Sequence, residues 1–138
     1  MSVGQELWDA IRDTLLADAT VMAGLNAIYD KVPDKPWGEK NAYMSRGPFY
    51  GIPDEADCIG GQEITIQLDI WSRKPNRWTM DDMIAAVRKA LHERGLQLTE
   101  NALVNMRVTL WRIIDDPDPL TVHGVVQVTA LVEEPEEV

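Results

Sequence analysis

Few side chains in this sequence are of types that do chemistry, and their spacing decides what they can do. The two histidines, His92 and His123, fall in different elements and neither belongs to a metal-binding motif. A general base needs an oriented partner, and the sequence identifies none beside either ring. The simplest readings are a helix C-terminal cation for His92 and a polar residue on the exposed side of a strand for His123. Cys58 is the single cysteine, which excludes an internal disulfide and a Cys-rich zinc site and suits a reducing cytoplasm. No His or Asn motif around it points to an activated nucleophile, so an inert loop thiol is expected. Asp115, Asp116 and Asp118 offer hard oxygen ligands, yet they lack the regular spacing and closing glutamate of a calcium loop, and a solvated turn accounts for them. Gly60-Gly61 precedes a strand and opens no helix, so there is no phosphate-cradling loop. No catalytic residue, cofactor site or metal site is therefore expected. The enzymatic alternative is a small acidic metal-dependent site that uses His123 with the three aspartates.

Charge narrows the remaining classes. A formal net charge of −10 and a pI near 4.5 oppose the wrapping of nucleic acid, which depends on Lys and Arg displacing counterions from phosphates. The turn bearing Arg73, Lys74 and Arg77, flanked by Trp71 and Trp78, has the ingredients to stack on and neutralise a strand. Three cations in so acidic a chain make a small patch, and pairing with an acidic neighbouring subunit is an equal reading. Tryptophans such as Trp8, Trp37 and Trp111 are more often core or interface anchors than a ligand cage. The N-terminus lacks a basic region followed by an apolar run, and no apolar stretch is long enough to span a bilayer, so no membrane partner is expected.

The elements that must position these groups are read from periodicity. Gln62 to Trp71 alternates strictly, with Ile64, Ile66, Leu68 and Ile70 against Glu63, Thr65, Gln67 and Asp69, which marks a half-buried strand. After the basic turn, Thr79 is placed to cap a helix with Asp81 and Asp82 in its first turn and Arg88, Lys89, His92 and Arg94 in its last, stopped by Gly95. Upstream, Ser2 and Gln5 have capping-box spacing, and Leu7, Ile11 and Leu15 form an apolar stripe beside Trp8. Asp18-Ala19-Thr20 interrupts that helix, and Val21, Met22 and Leu25 form a short second turn leading to Ala27-Ile28-Tyr29. Pro33, Pro36 and Gly38 break regular structure before a short strand at Ala42 to Ser45. Residues 47–61 then read as a long loop, whose Phe49, Tyr50 and Ile52 either fold onto a partner or pack on their own domain.

Alternation returns in the last third. Val104, Met106, Val108 and Leu110 are expected on one face, and so are Val122, Val126, Val128, Ala130 and Val132 across Gly124, with Asp115 to Pro119 as the turn between the two strands. The length fits one domain, residues 1–132, followed by an acidic C-terminal tail at 133–138. The fold class is α+β: an antiparallel or mixed sheet with two main helices packed on one face.

Four pieces of the sequence resemble the tail terminator, or tail-completion, proteins of long-tailed bacteriophages and gene transfer agents. They are the N-terminal helix leading to Ala27-Ile28-Tyr29-Asp30-Lys31-Val32-Pro33, the strand ending Leu68-Asp69-Ile70-Trp71-Ser72, the helix Met80 to Arg94, and the strand His123 to Val128. The resemblance implies a structural virion protein, assembled in the bacterial cytoplasm, that forms a homo-oligomeric and expectedly hexameric ring. Such a ring caps the head-proximal end of the tail tube, stops tube polymerisation and meets the head-neck connector or stopper protein. Its partners would be itself, the tube protein and the connector, and DNA would pass through an acidic ring without specific binding. Under this reading the subunit or neck interface comprises the basic turn Arg73, Lys74 and Arg77 with Trp71 and Trp78, the loop residues Phe49 and Tyr50, and Glu133 and Glu134 of the tail. A neck or head-completion protein is the alternative within the same biology.

Overall fold

The computed structural model describes residues 1–54, 60–74 and 76–135. Cys58 and the tail residues Glu136 and Glu137 lie outside the described residues.

Helix α1 (Val3–Leu16) starts where the Ser2 hydroxyl accepts the Gln5 N–H at 3.1 Å, and its stripe of Leu7, Ile11 and Leu15 is fully buried. Asp18 then caps α2 (Ala19–Gly24) by accepting the N–H groups of Thr20 and Val21, each at 3.0 Å. Five strands follow the helices into one sheet: β1 (Ile28–Tyr29), β2 (Ala42–Asp54), β3 (Gly61–Ser72), β4 (Ala102–Asp115) and β5 (Val122–Glu133), in the order β1-β2-β3-β5-β4. Only β1 and β2 are parallel, so the sheet is mixed. Between β3 and β4 runs α3 (Arg77–Leu91). The even-numbered residues of β3 share one buried core with Met83, Ile84, Val87 and Leu91 of α3, which itself lies over β5 and β4, and this is the α+β fold expected. The helix approaches β5 most closely at Gly124, where a Cβ would stand 2.5 Å from Met80 Sδ and 3.2 Å from Ile84 Cδ1. No helix among the described residues is long and apolar enough to cross a membrane.

Three local expectations are corrected. The stretch from Gly47 is no loop: β2 continues to Asp54, paired with β3 through Phe49↔Ile66, Ile52↔Glu63 and Asp54↔Gly61. A bulge between Arg46 and Phe49 absorbs Gly47 and Pro48. The prolines are tolerated because this part of β2 is an edge, where a missing N–H breaks no ladder on the outer side. Gly47 is required sterically, since a Cβ there would collide with the Asp69 carboxylate.

Helix α3 begins one turn before Thr79. Asn76 caps it, with its Oδ1 accepting the Trp78 N–H at 2.8 Å, so Asp81 and Asp82 fall beyond the first turn. Its end is set by β4 and not by Gly95. The His92 ring Nδ1 accepts the Val108 N–H at 3.1 Å and the Glu93 N–H donates to the Met106 carbonyl at 3.0 Å, while Glu93 turns the chain at φ 54°. His92 is thus the C-cap, tied to β4, and no longer a last-turn cation. In β4 itself, bulges at Leu103/Asn105 and Val108/Leu110 break the alternation. Met106 and Val108 are buried, while Val104 and Leu110 are exposed.

Candidate functional site

The residues expected at an interface fall in separate places along the sheet. Trp71, Arg73, Lys74, Arg77 and Trp78 lie where β3 passes into α3. Phe49 and Tyr50 lie on the outer half of β2, and Glu133 ends β5 opposite Gly61 and Ala102. Gly61 and Ser72, the ends of β3, are about 35 Å apart at ~3.3 Å per residue. The geometry therefore gathers the basic turn at one end, leaves Glu133 at the other, and sets Phe49 and Tyr50 between them, level with Ile66 and Thr65 and on opposite faces of the sheet.

At the first end, two of the three cations are engaged within their own chain. Arg77 pairs with Asp115 across the sheet end, and the Arg73 guanidinium sits 4.2 Å from the centre of the Trp37 ring. Trp37 in turn meets Tyr43 edge to face at 4.9 Å. The Lys74 N–H is held by the Ser72 hydroxyl at 3.1 Å. Trp78 is widely exposed, at 75%, and Arg73 and Arg77 are exposed beside it. Burial pushes the Tyr43 phenol above its ordinary value of 10.0; Arg73 opposes the push, while Asp116 and Tyr29 add to it. A raised value means that the stabilisation from keeping Tyr43 neutral is fully present below the unfolded value and is lost as pH rises through the folded one. Tyr43→Phe should therefore remove a late component from the alkaline rise in tyrosinate absorbance and blunt the loss of stability at high pH. An unchanged titration curve would contradict this placement.

The neighbouring aspartates are spent on the β4–β5 turn. Asp116 accepts the Asp118 N–H at 2.9 Å, and Asp118 accepts the Leu120 N–H and the Thr121 hydroxyl, each at 3.0 Å. The bond from the Leu120 N–H, followed by that from Thr121, holds the Asp118 carboxyl below the ordinary 3.8. This is the solvated turn expected of these residues. Among the described residues no three His, Cys, Asp or Glu side chains are gathered so as to hold a metal ion.

His123 is the main correction among the candidate groups. It does not face the turn aspartates or open solvent; its side chain is 13% exposed, stacked on Trp71 at 3.7 Å, with Nε2 2.7 Å from Asp69 Oδ1. Asp69, expected on a polar exposed face, is itself buried. The pair belongs to a polar ladder over the helix-free side of the sheet. The Gln67 amide donates to Asp69 at 3.0 Å and the Gln127 amide to Gln67 at 3.2 Å, while the hydroxyls of Thr65, Thr129 and Thr109 form a second chain at 3.0 and 3.1 Å. The hydroxyl nearest this pair in the register, Ser45, accepts from Trp71 Nε1 at 3.3 Å and does not bond His123. The arrangement has an acid and an imidazole but no nucleophile aligned with them, and it can serve as an internal tie between β3 and β5.

Midway along the β2 edge, Phe49 and Tyr50 are 51% and 57% exposed. Phe49 lies against Gly4 of α1 and beneath the Arg46 guanidinium, 5.0 Å from the ring centre, while Arg46 is paired with Asp30. These residues border a groove of about 510 Å³ between α1 and β2, with Trp8, Arg12, Ile28 and Tyr29. Glu133 completes β5. The Glu134 N–H donates to the Gly60 carbonyl at 2.9 Å and its carboxylate accepts from the Gln62 amide, so both residues are built into the sheet end. A residue that the sequence did not single out also works here. Glu6 is buried and its carboxylate accepts the N–H groups of Glu100 and Asn101 at 3.2 Å, tying α1 to the start of β4. Its only sequence signal is an acid within an otherwise apolar helix turn.

Comparison with known proteins places this arrangement. Among curated proteins none matches in sequence. Among solved structures, a chain in the virion of a native gene transfer agent particle has the same fold, with a TM-score of 0.86 and 24% identity over 96% of this chain and 98% of that one. The family described as tail completion protein gp17 matches residues 9–133, from the second turn of α1 to the last residue of β5. By that match, the chain belongs to the tail completion protein gp17 family.

Proposed function

We propose that this protein is a structural component of a phage or gene-transfer-agent particle: a tail terminator that forms a ring, expectedly of six copies, on the head-proximal end of the tail tube. The observation that carries the reading is the family match across all five strands and most of α1. In this role it stops tube growth, meets the tube protein on one side and the head-neck connector on the other, and performs no catalysis. The absence of any oriented nucleophile beside the Asp69–His123 pair supports the last point. The net charge of −10 supports passage of DNA without retention, because acidic walls repel phosphate within a Debye length of about 8–10 Å. The basic turn at one end of the sheet and Glu133 and Glu134 at the other suit a subunit that meets different partners at its two ends. The polypeptide from residue 133 onward is proposed as an acidic extension of the domain.

Electron microscopy of particles from a strain lacking the gene tests the reading. Tails of abnormal, overlong length are expected. Tails of normal length lying beside separate, filled heads would instead identify a neck or head-completion protein.

A further inference from the structure

The sheet ends on both sides in strands whose outer edges have no strand partner among the described residues. β1 covers β2 only at Met44 and Ser45, which leaves Arg46–Asp54 open, and β4 is open along Ala102–Asp115. Burial follows the same division. No residue of β2 beyond Ser45 is buried, and in β4 only Met106 and Val108 are, whereas most of β3 and β5 is buried. Yet these edges carry large apolar side chains: Tyr50 and Ile52 are 57% and 52% exposed, and Leu110 and Trp111 are 39% and 45% exposed. Long edges of this kind are templates for further strand pairing unless something covers them.

Their chemistry is complementary. The β4 edge carries Arg107 and Arg112, with Arg88 of α3 stacked on Trp111 at 3.3 Å. The open part of β2 starts at Arg46, which is paired with Asp30, and ends in Asp54, with Glu63 of β3 opposite Ile52. Their directions also agree. The antiparallel ladders make β2 and β5 run one way and β3 and β4 the other. A second copy related by rotation about an axis along the strands therefore sets its β2 antiparallel to this β4, continuing the alternation. The ladder places Tyr50, Thr65, Thr129 and Arg107 at one level, and Ile52, Glu63, Leu131 and Asn105 at another, all on the helix-free face.

We propose that the β2 edge of one copy, at Phe49 to Ile52, pairs antiparallel with the β4 edge of the next, at Asn105 to Leu110, so that the sheets of successive copies join into one closed sheet. The inference rests on the ring reading above and specifies its subunit contact. Pro48 and Pro53 bracket the β2 segment, and because neither can donate a hydrogen bond they confine the ladder to that stretch and fix its register. The contact is heterologous, so each copy uses a different edge toward each neighbour, and rotation closes it. Helices α1 and α3, on one face only, stand outside the closed sheet, and the polar ladder of glutamines, threonines and the Asp69–His123 pair faces inward.

Disulfide trapping in assembled particles tests this. In a Cys58→Ser background, Tyr50→Cys is combined in turn with Asn105→Cys, Arg107→Cys and Leu110→Cys. Within one copy Tyr50 and Arg107 are three strand spacings apart, about 14 Å at ~4.8 Å each, too far for a disulfide, whose Cα atoms must lie within ~7 Å. Covalent multimers of the 15.5 kDa chain on non-reducing gels, from at least one pair and from no single-cysteine variant, are expected. Averaged micrographs of the same particles report whether a ring is present. A ring without multimers from any of the three pairs overturns the edge pairing and leaves the ring; particles with no ring overturn the tail-terminator reading and the pairing with it.

Discussion

Leu68→Ala should destabilise the protein by about 2–5 kcal/mol, and Ile66→Ala by a similar amount, because both truncations leave a cavity in the core that the surrounding strands cannot close. Leu68 is fully buried and Ile66 is 1% exposed, and both sit in β3, which like β5 has a long partner on each side. Relaxation is limited there. Neighbours Val126 and Val128 on β5 are held in the ladder, and α3 already lies against Gly124 with no slack toward Met80. Urea unfolding, fitted with a common slope, measures the loss. A change below about 0.5 kcal/mol at both positions, the size expected of exposed sites, would overturn the packing assignment.

His123→Ala should cost about 2–3 kcal/mol, since it strips the 2.7 Å donor from a carboxylate that is buried and left with only the Gln67 amide. The same change removes the ring that covers Trp71. Asp69→Asn combined with His123→Gln should lose less than the sum of the two single changes, because each partner's value depends on the other. Urea titrations of the four proteins close this cycle, and strict additivity would show that the two side chains act independently. Particles that assemble with His123→Gln should still transfer DNA. Intact particles that fail to transfer would restore the enzymatic alternative, in which His123 does chemistry.

The parts of this fold that were legible in the sequence are those where one local rule decides. The stripe of Leu7, Ile11 and Leu15, the Ser2 cap and the alternation of Ile64 to Ile70 each agree with the packing they acquire. The errors arise where tertiary contacts outvote local chemistry. Gly47, Pro48, Gly51 and Pro53 have loop composition, yet pairing with β3 holds them extended on an edge that tolerates proline. Gly95 is a standard stop signal, but bonds from His92 and Glu93 to β4 end α3 first. The bulges of β4 cannot be seen from its alternation, because a bulge is a property of the strand pair. Asp69 and His123 looked like solvent-facing polar residues for a related reason. They lie 54 positions apart, and only the β3–β5 register, with Trp71 opposite His123, makes them neighbours.

That register also orders events in time. The centre of the sheet joins residues as distant as Thr65 and Thr129, 64 positions apart, whereas β2 with β3 and β4 with β5 are pairings between consecutive strands. Local hairpins close early and distant pairings late, since the long loop must be ordered before any contact rewards it. Strand β4 has no place in the sheet except through β5. A chain still emerging from the ribosome, with nothing synthesised beyond Val122, can therefore form the β2–β3 hairpin but cannot display a finished β4 edge. The second edge becomes available late, and only on a subunit whose central strands have already met, so an unfinished or truncated chain has nothing with which to bridge two neighbours.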